Sequence, residues 1–153
     1  MTRSQLEIKA AAETCAKALV SRDYGTVADL TYGRLIELMG GREETITHLE
    51  DQLKELDDKG MTIVSITVGD PETVKSINNQ QFSIVPTTAK LKYKDSNMVA
   101  ESFMIAVSDD GGKRWKFVDG AISDDQELMK ELFANVADKL QLPPKKDPVF
   151  TDK

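Results

Sequence analysis

The sequence predicts an α+β domain in which N-terminal helices pack on a curved antiparallel sheet and a C-terminal helix closes the fold. Three observations predict it. Apolar side chains recur at helical spacing up to Gly60, the period drops to two from Met61, and a capping pattern at Ser123 opens a helix again. Helices followed by a strand meander is the order of an α+β layer, not of alternating βαβ units.

Ser4 and Glu7 have the spacing of a capping box and predict the first helix start there. Ile8, Ala12, Cys15 and Leu19 then form one apolar stripe, which Ser21–Asp23 interrupts. A short helical piece over Thr26–Leu30 leads to a second apolar cluster, Leu35, Ile36, Leu38 and Met39, expected to be buried. Gly40-Gly41 ends it, because glycine tolerates the left-handed cap. The next helix spans Arg42–Asp58, with Ile46, Leu49, Leu53 and Leu56 on its inner side and Gly60 after it. Strands are expected at Thr62–Val68, Val74–Ile77, Gln81–Lys94, Met98–Val107 and Trp115–Ile122, separated by Asp70-Pro71, Asn78-Asn79, Asp95-Ser96-Asn97 and the loop Asp109–Arg114. Pro86 lies inside the long strand and requires a bulge or an edge position there. Ser123 and Gln126 predict a closing helix to Leu140, with Leu128, Leu132, Phe133, Val136 and Leu140 inward, stopped by Pro143-Pro144. One domain is expected over residues 1–140, followed by a mobile Pro- and Lys-rich tail over 141–153.

Composition narrows the function classes. The chain has 153 residues, 40% hydrophobic and 30% charged, which is globular composition and enough for one ordinary core. A net charge of −6 argues against a nucleic-acid binder, and Lys90, Lys92 and Lys94 read as the solvated face of one strand. The single cysteine, Cys15, allows no intrachain disulfide and no cysteine metal site; on its apolar stripe it reads as a buried, inert thiol. No apolar run is long enough to span a membrane. No signal-peptide pattern opens the chain, which predicts a cytoplasmic location if Met1 is the native start, with export after removal of a signal as the alternative. No phosphate-binding glycine loop, His–carboxylate metal spacing or nucleophile elbow is present, and no metal or cofactor is expected.

The element order, with the stretch Tyr32-Gly33-Arg34-Leu35-Ile36-Glu37-Leu38-Met39-Gly40-Gly41-Arg42-Glu43, resembles the NTF2-like (SnoaL-like) cone-fold superfamily over residues 4–140. The resemblance implies a strongly curved sheet wrapped around N-terminal helices to leave a conical cavity. It implies no single activity, because such folds host isomerases, dehydratases, cyclases and binding subunits alike. Separately, Ser108-Asp109-Asp110-Gly111-Gly112-Lys113-Arg114-Trp115 is similar to the Asp-box of sialidases and related propellers, with Arg114 where a Thr is usual. That device ties a hairpin: a carboxylate takes the loop's amides, glycine supplies unusual dihedrals, and Trp115 packs beneath the turn. A single box indicates hairpin structure and not glycosidase chemistry.

Candidate chemistry is sparse. His48, the one histidine, falls on the helix side opposite the apolar stripe, with Thr45, Asp51, Gln52 and Glu55, and reads as a solvated residue. Glu101 shares a strand face with Phe103, Ile105 and Val107; Asp119 shares one with Trp115 and Phe117. A carboxylate on an apolar face needs a partner or a wet cavity, and in a cavity either acid is a candidate general base for a cofactor-independent isomerase or dehydratase. If Val107 pairs with Trp115 the two acids share a face; if Val107 pairs with Lys116 they do not. Tyr24, Tyr32, Phe103, Trp115 and Phe117 are the candidate ligand-lining residues. Two roles stand ahead of catalysis: binding a small apolar or amphipathic molecule, or serving as an interaction module. The second face of the Met98–Val107 strand, Met98, Ala100, Ser102, Met104 and Ala106, carries no charge. With helices on one side of the sheet only, this face predicts a homodimer through Met98, Ala100, Met104 and Ala106.

Overall fold

The computed structural model describes residues 1–134, 139–144 and 146–151. Four helices come first: α1 (Arg3–Val20), α2 (Tyr24–Asp29), α3 (Gly33–Leu38) and α4 (Arg42–Asp58). Strands β1 (Met61–Val68), β2 (Lys75–Ile77), β3 (Gln80–Tyr93), β4 (Ser96–Ser108) and β5 (Lys116–Asp119) follow. A 3-10 turn over Gly120–Asp124 leads into α5 (Gln126–Phe133), and β6 (Val149–Thr151) pairs back onto the sheet. The architecture is α+β, with helices packed on a strongly curled antiparallel sheet that fits a cone.

Several helix boundaries differ from expectation for local reasons. The capping box of α1 is Thr2 with Gln5: the Thr2 hydroxyl accepts the Gln5 amide at 3.2 Å and the Gln5 side chain accepts the Thr2 amide at 2.8 Å. Ser4 is already helical, and Glu7 pairs with Arg3 one turn back instead. Asp125, not Ser123, caps α5 by accepting the Leu128 amide. The expected last strand is cut short because Asp119 caps the 3-10 turn, accepting the Ala121 amide at 2.9 Å; Trp115 precedes β5 and is not in it. The α3 cluster is less enclosed than its apolar pattern suggests, with Leu35 and Ile36 half-buried and Leu38 exposed. Thr45 is buried rather than sharing the solvent side with His48; its hydroxyl donates to the Gly41 carbonyl at 2.8 Å, which removes the cost of burying it. Val136 lies outside the described residues, whereas Leu140 is buried in the core.

The sheet order is β1-β3-β4-β5, with β2 added to β3 and β6 to β4. The β3–β4 hairpin is its spine, in unbroken register from Gln81↔Ser108 to Tyr93↔Ser96. Pro86 is tolerated because β1 pairing stops at Thr87 and β2 pairing stops at Phe82, leaving Pro86 at a local edge. Its carbonyl still accepts the Gly69 amide at 2.8 Å. The bulge in the sheet falls on β1 instead, between Ile63 and Ser65, and turns Val64 outward.

Helices cover both faces of the sheet. On one, α1 lays Ile8, Ala12 and Ala16 against Val68, Val85, Ala106, Trp115 and Phe117, with Met104 at the margin. On the other, Met129, Leu132 and Phe133 of α5, with Leu140, pack on Phe82, Ile84, Phe103, Ile105, Val107 and Val118. The α1-face cluster takes in Met104 and Ala106, two of the four residues on which the homodimer expectation rests. The small residues at Ala12, Ala16 and Ala106 let helix and strand approach closely.

Candidate functional site

The Ser108–Trp115 loop is tied by a set of polar contacts close to the candidate residues. One oxygen of Asp110, Oδ1, accepts the Ser108 hydroxyl at 2.8 Å and the amides of Lys113 and Arg114 at 3.1 and 3.0 Å. The Arg114 amide, then the Ser108 hydroxyl, hold the Asp110 carboxyl below the usual carboxylate range. Buried Ser108 in turn accepts the Gly112 amide at 2.9 Å. Gly111 and Gly112 take φ of 75° and 90°, dihedrals that favour glycine. Beneath them Trp115 is 4% exposed, and its indole N–H has no hydrogen-bond partner among the described residues. Next door, the Gln80 amide donates to Asp109 at 2.5 Å and to the Tyr32 hydroxyl at 3.0 Å.

The two candidate carboxylates do not meet. Val107 pairs with Lys116 and Met104 with Asp119, so Asp119 stands on the α1 face while Glu101 stands on the face that α5 covers farther along. Both acids are exposed. Asp119 is engaged as the cap of the 3-10 turn, and Glu101 forms an ion pair with Lys146 at 3.0 Å.

The aromatic candidates divide the same way. Tyr32 and Phe103 belong to the α5-face cluster, Trp115 and Phe117 to the α1-face cluster. Tyr32 is held by backbone as well, its amide donating to the Phe117 carbonyl at 3.0 Å. The Phe133 ring stacks on Tyr32 at 5.8 Å and meets Phe82 edge-on at 5.8 Å. Burial pushes the Tyr32 phenol up, partly offset by the Gln80 donor. Tyr24 is half-buried at the start of α2, beside Arg22, whose guanidinium forks onto Asp57 at 2.8 and 2.7 Å. His48 is exposed on α4.

Two concavities lie elsewhere. A space of about 10 Å³ among Glu72, Phe82, Ile84, Leu140 and neighbours holds at most a single water. An open groove of about 460 Å³ lies at the far end of the sheet, lined by Lys59, Met61, Tyr93 and Phe150. None of the candidate lining residues borders either one. Sequence reasoning passed over the groove because Phe150 reaches it only when the tail folds back on β4. The available signal was an apolar Val149-Phe150 pair in a Pro- and Lys-rich tail. Among the described residues no helix is long and apolar enough to cross a membrane, and no group of three or more His, Cys, Asp or Glu side chains is placed to hold a metal.

No protein-family model and no curated protein matches the chain. Among solved structures, an M.tuberculosis LEH-like epoxide hydrolase aligns with 94% of this chain and 100% of its own, at 17% identity and a TM-score of 0.37. A likeness at that level carries nothing about activity.

Proposed function

We propose that this chain is a non-catalytic interaction module of NTF2-like cone type, with a packed interior and a working surface. One observation supports the reading above the others: buried α5 side chains pack in one cluster with the sheet residues beneath them. Phe133 sits between Tyr32 and Phe82, with Met129 and Leu132 beside it, over Phe103 and Ile105. A small apolar ligand entering there has to displace close-packed rings. An isomerase or dehydratase using Asp119 or Glu101 as base needs that acid beside an enclosed substrate, and both are exposed and already partnered. On this reading the Ser108–Trp115 loop is a brace of Asp-box type that fixes the hairpin into which β4 and β5 run.

Thermal unfolding in the presence of a panel of small apolar and amphipathic molecules tests this reading. The expected result is no saturable rise in Tm for any of them. A saturable rise that disappears on Phe103→Ala overturns it in favour of an interior ligand site.

A further inference from the structure

The outer edge of β4 is closed by the chain's own tail. On that side β5 takes Met104–Val107 and β6 takes Asn97–Val99. The Asn97 carbonyl accepts the Thr151 hydroxyl at 3.4 Å, so the backbone of Asn97 faces the tail. By the alternation of an antiparallel ladder, Val99 and Glu101 face that way too, while Met98 and Ala100 face β3. Val149 and Thr151, opposite Val99 and Asn97, are therefore the tail residues whose amides serve the ladder. Pro148 falls opposite Ala100 when the register is continued. There the tail's backbone nitrogen points away from β4, and a proline costs the ladder nothing.

Side chains clasp this edge from both faces of the sheet. Phe150 lies opposite Met98 and meets Tyr93 edge-on at 6.4 Å. On the other face Lys146 pairs with Glu101 at 3.0 Å and Val149 stands opposite Val99. Val149 and Phe150 nevertheless remain 62% and 61% exposed, so core burial is not what the tail strand contributes. What it covers is polar backbone. Asn97–Ala100 carries no charged side chain, and an uncharged, unpaired edge is a template for another strand. Set antiparallel to a second copy about Val99, the edge pairs Val99 with itself, Met98 with Ala100 and Asn97 with Glu101, so no like charges oppose.

We propose that the C-terminal strand is a built-in edge guard: seated on β4, it keeps the chain from pairing through Asn97–Glu101 with a second copy of itself. The tail takes the ladder positions that a second copy would use, and its clasp on both faces holds it there. Covering an edge with a short segment of the same chain is one of the ways in which sheet proteins avoid edge-to-edge association. The inference goes beyond the interaction-module reading and does not depend on it.

Sedimentation velocity of the full-length Val149→Pro protein over a concentration series tests the guard, since that change removes a ladder amide from the tail. The variant is expected to self-associate about tenfold more strongly than wild type, because each of two copies loses one backbone hydrogen bond from its guard. Pro148→Ala adds an amide that points away from β4 and is expected to match wild type. Lys146→Glu combined with Phe150→Ala loosens the clasp without a proline and shifts association in the same direction as Val149→Pro. Adding Val99→Lys to Val149→Pro sets like charges opposite each other and returns the protein to wild-type behaviour. In the associated form, hydrogen exchange slows at the Val99 and Glu101 amides. Wild-type association in both Val149→Pro and the Lys146→Glu, Phe150→Ala protein overturns the guard, as does association that survives Val99→Lys. Pro148→Ala associating as strongly as Val149→Pro overturns it too. None of these outcomes touches the interaction-module reading, which is tested in the core at Phe103.

Discussion

Asp110 acts on the loop through one oxygen, and its pH dependence follows from the sign of that arrangement. Its folded pKa is depressed, so its stabilising contribution is complete above the unfolded value of about 3.9 and is lost as pH falls through the folded one. Asp110→Ala is therefore expected to lower Tm at neutral pH, with the gap to wild type closing as the solution is acidified below about pH 4. A gap that persists unchanged at low pH would show that the carboxylate charge is not what the loop uses. Cys15 has the opposite sign. Burial first, then the Asp119 charge, push its thiol up to about 11, so it stays protonated at neutral pH. A thiol reagent at pH 8 should leave the native protein unmodified and react fully after denaturation. Rapid labelling of the native protein would contradict that burial. The raised thiol pKa contributes stability in full below the unfolded value of about 8.5, and this is lost as pH climbs toward the folded one. The inert thiol was legible from the sequence alone, because its neighbours at helical spacing, Ile8, Ala12 and Leu19, already marked a core stripe. The partners of Asp119 and Glu101 were not, since a carboxylate on a strand does not reveal whether a cap or a lysine from a distant segment meets it.

At the scale of elements, two glycines separate close packing from mere permissiveness. A Cβ on Gly120, where β5 gives way to the 3-10 turn, falls 2.5 Å from the Phe103 carbonyl oxygen and 2.8 Å from its ring. Backbone cannot move aside as a side-chain tip can, so Gly120→Ala is expected to cost on the order of 1–3 kcal/mol, read by urea unfolding. A Cβ on Gly33, at the start of α3, meets nothing within 4 Å, and φ there is not positive. Gly33→Ala should therefore be neutral or stabilising by up to about 1 kcal/mol. A large loss at Gly33, or none at Gly120, would mean that these elements are not joined as described. The elements themselves were largely readable, because Ile8 to Leu19 and Leu128 to Phe133 keep helical spacing while β4 reads as one apolar run. Their caps moved by one or two residues, since Ser4 and Thr2, or Ser123 and Asp125, offer equivalent chemistry within half a turn. The register of β4 on β5 could not be read at all, because both pairings bury Phe117 and Val118 equally well. The tail strand was missed for a related reason: three residues carry no periodicity, and what selects them is a distant edge.

The whole molecule is a curled sheet with helices packed on both faces, α1 on one and α5 on the other. Periodicity says that a face is buried but not which element buries it. The α1 stripe and the uncharged face of β4 were both visible, yet nothing local said that they meet each other. Phe133 is the side chain on which the closed interior depends: it is 2% exposed and contacts the rings of both Tyr32 and Phe82. Phe133→Ala is expected to cost about 3–5 kcal/mol through the cavity that it leaves. That cavity also supplies the most direct test of a filled interior, namely NMR titration of the wild-type protein and the Phe133→Ala protein with benzene. The expected result is saturable shifts of the Ile84 and Ile105 methyl signals in the variant and none in the wild type, since dry apolar cavities of this kind take up benzene. Saturable shifts of equal size in both proteins would show that a pocket already exists beside Tyr32, and the account of a filled core would be wrong.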